Sequence, residues 1–146
     1  MASREFDLSR KGWRILSATG DQPGNLIEGR AFLGHANSPL NIVIDLGQSY
    51  DVKGFTLKPV VDHTMTIATA TQMGPPARFV AWVSADGRTW GTPAGRGEFA
   101  NIAANRAAQR VRFEAPHTGR YLRLELPQAV QDKPMIGIGE LGVLTR

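Results

Sequence analysis

The stretch from Arg78 to Trp90, R-F-V-A-W-V-S-A-D-G-R-T-W, restricts the fold more than any other part of the chain. Phe79, Ala81 and Val83 alternate with Val80, Trp82 and Ser84. A repeat of two puts these sets on opposite faces of a pleated strand rather than around a helix. Asp86-Gly87 follows, residue types that accept the left-handed backbone of a tight turn, and Thr89-Trp90 is expected to resume β structure beyond it. The stretch therefore reads as a strand, a turn and a buried aromatic.

The same period recurs along the chain. Ile42 and Ile44 share one face of a strand over Asn41 to Leu46, Gly47-Gln48-Ser49 reads as a turn, and Phe55 and Leu57 share a face of the next strand, Val52 to Pro59. Gln109 to Phe113 alternates, Pro116 to Gly119 turns, and Tyr121, Arg123 and Glu125 alternate with Leu122, Leu124 and Leu126. Ile136 to Leu144 reads as a closing strand, and residues 10 to 19 read as a short strand with Trp13, a core aromatic, on one face together with Ile15 and Ser17. Asp62 to Ala77 alternates Thr with Met, Ile and Ala, which suggests an extra edge hairpin until G-P-P breaks it. The glycine-spaced run after Trp90 is expected to be irregular, and the alanine-rich run before Gln109 is too short for a stable helix. Short strands divided by Gly and Pro turns, without a long helical pattern, predict an all-β, antiparallel β-sandwich of jelly-roll type. At 146 residues the chain is one domain in size.

The strand end V-S-x-D-G-x-T-W resembles the signature of discoidin, or F5/8 type C, domains, a galactose-binding-like fold that includes the family 32 carbohydrate-binding modules. I-V-I-D-L-G at 42 to 47 with V-K-G-F-T-L at 52 to 57, G-R-Y-L-R-L-E at 119 to 125 and I-G-I-G-E-L-G-V at 136 to 143 match in the same order. The resemblance implies a domain from 10 to 146. Residues 1–9, beginning Met-Ala-Ser-Arg-Glu-Phe, read as an N-terminal extension or a vector-derived leader.

The resemblance also implies a structural calcium in the first loop, where the family shows a pattern like A-x-D-G-x-x-x-T-x-W. Here its positions fall on Glu28, Gly29, Leu33 and His35, while Glu140 keeps the carboxylate of the last strand. Glu28 and Glu140 are thus the candidate metal ligands. A hard cation takes six to eight oxygens, and Leu33 supplies none from its side chain. Calcium is compatible with this set only as a weakly bound ion, and the fold is expected not to require any cofactor.

The function classes narrow by chemistry. The three histidines, His35, His63 and His117, lie in separate segments, and neither a nucleophile motif nor a phosphate loop is present. No catalytic constellation emerges. The chain lacks cysteine, which excludes disulfides and thiolate chemistry. Its 17 Lys and Arg against 13 Asp and Glu are scattered singly, so no nucleic-acid stripe is indicated. Neither a bilayer-length apolar run nor a signal core is visible, and an extracellular or cell-surface location rests on the resemblance alone.

What remains is binding through loops at one end of the sandwich. The resemblance brings together His35 from the first loop, Asp62, His63 and Thr64 from the second, and Asp132, Lys133 and Met135 from the third. Each also has a plainer structural reading: His35 can stack in its loop, Asp62 can cap a turn and Lys133 can be a solvated charge. Sugar-binding relatives often read P-R-Q-D-G in the second loop and carry a Trp after Pro in the third. This chain reads P-V-V-D-H, with Val60 and Val61 in place of Arg and Gln, and has Met135 in place of that aromatic. The expectation is a non-catalytic carbohydrate-binding module, an ancillary domain whose partner is a glycan or polysaccharide. The alternative is a module on the same fold that docks a partner protein.

Overall fold

The computed structural model describes residues 5–60, 72–99, 101, 102, 104 and 107–146. Two long strands organise it. β5 runs from Leu40 to Lys58 and β9 from Gln109 to Leu126, antiparallel from Leu40↔Leu126 to Leu57↔Gln109. Sequence reasoning divides each into two strands joined by a turn, yet both are continuous and merely bend, with register shifts between Asp45 and Tyr50 and between Val52 and Gly54. The reason lies in Gly47. Its φ is +95°, and a Cβ there would stand 2.6 Å from the Gly12 carbonyl oxygen. The glycine admits close approach of another segment rather than a chain reversal.

The remaining elements are β1 (Phe6–Asp7), a 3₁₀ turn (Arg10–Gly12), β2 (Arg14–Ala18), β3 (Gly20–Asp21), α1 (Asn25–Glu28), β4 (Phe32–Gly34), β6 (Met73–Gly74), β7 (Arg78–Ser84) and β8 (Gly95–Glu98). After β9 come a second 3₁₀ turn (Val130–Asp132), β10 (Met135–Ile138) and β11 (Glu140–Thr145). The larger, seven-stranded sheet has the order β1-β11-β5-β9-β7-β8, with β2 also paired to β5; the four-stranded sheet is β3-β4-β10-β6. Among the described residues all strand pairings are antiparallel except β10 with β6. The strand expected over Ile136 to Leu144 is in fact two, one in each sheet. The chain passes between the sheets at Gly139, where a Cβ would collide with the Pro59 carbonyl oxygen. The result is a β-sandwich.

The inward residues of β5 and β9, among them Ile42, Ile44, Leu122 and Leu124, are fully buried. Phe55 packs edge-on against Phe79 at 5.1 Å and against Phe99 at 6.2 Å, and Phe79 lies 5.2 Å from Phe99. Burying each such ring contributes about 1.5–3 kcal/mol, so this cluster holds β5 and β7 to the segment after β8. Trp13 is core, at 3% exposure. Trp90 is not: it is half-buried, and the Arg123 guanidinium lies 5.9 Å from its ring and 4.7 Å from that of Trp82.

The partner of β7 also differs from expectation. It is β8, in the glycine-spaced run, with Arg78↔Glu98 and Ala81↔Gly95 in register, rather than Thr89-Trp90. Asp86 explains the longer loop. Its Oδ1 accepts the N–H groups of Arg88 and Thr89, both at 2.8 Å, and Ser84 Oγ donates to the Thr89 carbonyl at 2.7 Å. Backbone groups that could have continued a ladder are satisfied by side chains instead.

Candidate functional site

Two of the three loops singled out in the sequence meet at one end of the sandwich. The end of the first loop, between β4 and β5, is tied at its base by Thr19, whose Oγ1 donates to the Pro39 carbonyl at 3.0 Å and accepts the Asn41 N–H at 2.8 Å. The other joins β9 to β10 and is pinned on one side by bonds from Ala77 N–H to the Gln128 carbonyl at 2.8 Å and from Val130 N–H to the Pro75 carbonyl at 2.9 Å. On the other side the Asn37 N–H donates to the Pro134 carbonyl at 2.6 Å and joins the two loops directly.

Between them lies a cleft of about 170 Å³. Its polar lining is Asn37, Ser38, Gln128, Asp132 and Lys133, and its apolar walls include Pro39, Pro127 and Pro134. Asn37, Gln131 and Asp132 hold φ values of +59°, +55° and +51° around it. Such conformations cost non-glycine residues on the order of 1 kcal/mol or more and tend to gather where function fixes the backbone. Gln128 links the site to β7: its Oε1 accepts from Arg78 Nη2 at 3.2 Å, while its Nε2 donates to Asp132 Oδ1. The carboxylate is thereby held by one bond and keeps further acceptor capacity.

Of the residues expected from sequence, Asp132 and Lys133 line this cleft. His35 is exposed just before Asn37, on the same loop. Met135 begins β10, paired with Met73. Asp62, His63 and Thr64 lie outside the described residues, as do most of the expected edge hairpin and Val61. The ends of that segment are placed: a Cβ on Gly137 would stand 2.5 Å from Met73 Sδ and 3.0 Å from Val60 Cγ2, so both ends abut β10.

Sequence reasoning missed Asn37, Ser38, Gln128 and Arg78. Pro39, Pro127 and Pro134 bracket the two loops and were the available signal, because a fixed φ and a missing N–H mark where strands must stop.

The two carboxylates proposed for a metal are elsewhere and apart in their bonding. Glu28 is exposed and pairs with Arg30 at 3.4 Å, and Glu140 pairs with Arg10 at 3.1 Å. Among the described residues no group of three or more His, Cys, Asp or Glu is arranged to hold a metal ion.

The sequence matches the family model of the F5/8 type C domain over residues 9–141. No curated protein sequence matches it. Among solved structures, the chain is similar to the third family 32 carbohydrate-binding module, CBM32-3, of a family 31 glycoside hydrolase from Clostridium perfringens, with 19% identity, coverage of 97% of this chain and 96% of that one, and a TM-score of 0.79. It is similar to the family 32 module of NanJ from C. perfringens in complex with galactose, at 16% identity, 97% and 99% coverage and a TM-score of 0.74. A further C. perfringens module, in complex with GalNAc-β-1,3-galactose, shares 18% identity over 94% of this chain and 99% of its own, with a TM-score of 0.74.

Proposed function

The chain belongs to the F5/8 type C domain family, and on that premise we propose that it is a non-catalytic carbohydrate-binding module, an ancillary domain of a secreted, glycoside-active or cell-surface protein. The observation that carries this reading is the cleft where Asn37 bonds to Pro134. Its side chains supply what sugar hydroxyls require: amide donors and acceptors from Asn37 and Gln128, an acceptor carboxylate from Asp132 and ammonium donors from Lys133. The loops are held on both sides before any ligand arrives, so little ordering is needed on binding. Proline rings offer the apolar face of a pyranose a rigid wall. A volume of about 170 Å³ is below the roughly 300 Å³ at which drug-sized pockets begin, which suits the end of a chain or a short oligosaccharide.

His35 stands at the rim in this reading. Asp62, His63 and Thr64 lie outside the described residues and remain candidate contacts on the strength of the family resemblance. Similar modules solved with galactose and with GalNAc-β-1,3-galactose support a glycan ligand. Binding of this kind uses no cofactor.

A second reading, a protein-docking module, is favoured by the half-buried Trp82 and Trp90 that flank Arg123 on the outer face of the large sheet, since Trp and Arg are enriched at interfaces. A glycan array followed by affinity electrophoresis on polysaccharides separates the two. Retention on at least one glycan supports the module reading; silence on every glycan, with a protein partner recovered through the Trp82 face, would replace it.

A further inference from the structure

The Glu140 carboxylate, at the start of β11, meets a guanidinium. Arg10 Nη1 donates to Glu140 Oε1 at 3.1 Å and to the Leu141 carbonyl at 3.3 Å. The same guanidinium covers Gly29, the residue that ends α1 at a φ of +73°: a Cβ there would stand 2.7 Å from Arg10 Nη2. One planar cation therefore joins the end of α1 to the start of β11. This junction of first loop and last strand is where the family resemblance implies a calcium ion.

The residues present do not fit that ion. Glu28 is turned to Arg30. The Asn25 carbonyl accepts the N–H groups of Gly29 and Arg30, the latter at 2.8 Å, and the Ala31 carbonyl accepts Asn25 Nδ2 at 2.9 Å. Two of the carbonyls between Asn25 and Leu33 are thus already engaged within the loop, and Leu33 adds no side-chain oxygen. Lys58 stands directly across the ladder from Glu140 and adds positive charge. A divalent cation seeking six to eight oxygens would meet the Arg10 guanidinium and the Lys58 charge beside the one carboxylate of β11.

We infer that Arg10 is a built-in substitute for the structural calcium, clamping α1 to β11 through Glu140 and making the fold independent of metal. The sequence around Arg10 positions it for this. Ser9 Oγ accepts the Lys11 N–H at 3.3 Å, the Trp13 N–H returns to the Arg10 carbonyl at 3.1 Å, and the buried Trp13 anchors the turn in the core. Gly29 leaves the backbone bare, so the guanidinium lies against it. Arginine suits the role better than lysine, because its fixed, planar set of donors reaches the carboxylate and the Leu141 carbonyl while covering the helix end. The contrasting case is an ordinary surface ion pair that contributes nothing measurable.

The test is thermal melting of the full chain. The wild type should melt at the same temperature in millimolar calcium and in chelator, within about 1 °C, since an ion that binds only the native state would raise Tm. Arg10→Met keeps the aliphatic stem and removes the charge; it should lower Tm by about 3–8 °C, without recovery on adding calcium. Glu140→Gln should do the same, and the double variant should fall no further than the weaker single variant. A chelator-induced drop in the wild type overturns the inference. So does an Arg10→Met protein that melts with the wild type, or two single effects that simply add.

Discussion

Arg120 holds Asp45 with two parallel hydrogen bonds, Nε to Oδ1 at 2.7 Å and Nη2 to Oδ2 at 3.0 Å, and the carboxylate they enclose is only 5% exposed. Oδ1 also accepts the Gly47 N–H at 2.9 Å, so the pair fixes the point where β5 bends. The bonds from Arg120 hold the Asp45 carboxyl below the usual range; burial opposes them, and the Gly47 N–H and the Arg120 charge assist. A carboxyl whose folded pKa is depressed adds stability that is fully present above its unfolded pKa of about 3.9 and is lost as pH falls through the folded value. Asp45→Asn should therefore lower Tm at neutral pH by several degrees, and the gap to wild type should close as the pH drops below about 4. Melts across a pH series check this, and a gap that stays constant into acid would count against it.

Asp86 makes a different prediction, about local rather than global stability. Its carboxyl is held well below the usual range, chiefly by the backbone N–H groups of Thr89 and Arg88 and then by the Ser84 hydroxyl. Asp86→Ala removes the acceptor for both amides. Hydrogen exchange at Arg88 and Thr89 should then quicken by about tenfold or more, while exchange within β9 stays unchanged. Unaltered protection of the two amides would show that another group holds the loop.

Two glycines should respond in opposite directions to the same substitution. A Cβ on Gly54 would overlap the Val111 carbonyl oxygen across the β5–β9 ladder, whereas one on Gly24 would meet nothing within 4 Å. Gly24 already has helical angles, φ −57° and ψ −21°. Gly54→Ala is expected to cost about 3 kcal/mol or more, and Gly24→Ala to stabilise by about 0.4–1 kcal/mol by restricting the unfolded chain. Denaturant titration of the two variants reads both signs.

The strands were legible because their burial is one-sided: Phe79 and Ala81, or Leu122 and Leu124, declare a period of two wherever a core lies on one face. What was not legible is where a strand bends rather than ends. Gly47 and Gly119 look like turn residues in sequence, but each makes room for a neighbouring segment, Gly12 in one case and Ser84 in the other. Trp90 misled because composition cannot distinguish an aromatic in the core from one stacked under Arg123 on the outer face. At the candidate site, Asp132 and Lys133 could be found from their loop, but Arg78 and Gln128 enter through a hydrogen bond between distant segments, which no local pattern records. The clamp at Arg10 was hidden for the same reason, its partner lying 130 positions away.

The central claim is that the cleft between the two loops binds sugar, and titration of one glycan into matched variants tests it most directly. With the best array hit as ligand, the wild type should bind with a Kd of about 10⁻⁴–10⁻³ M, as expected of a small site with few anchoring groups. Asp132→Ala should weaken binding about tenfold or more by removing a charged acceptor, while Arg14→Ala, exposed on β2, should leave it as it was. Wild type and Asp132→Ala binding the glycan equally would contradict the account, because the sugar would then lie somewhere other than this cleft.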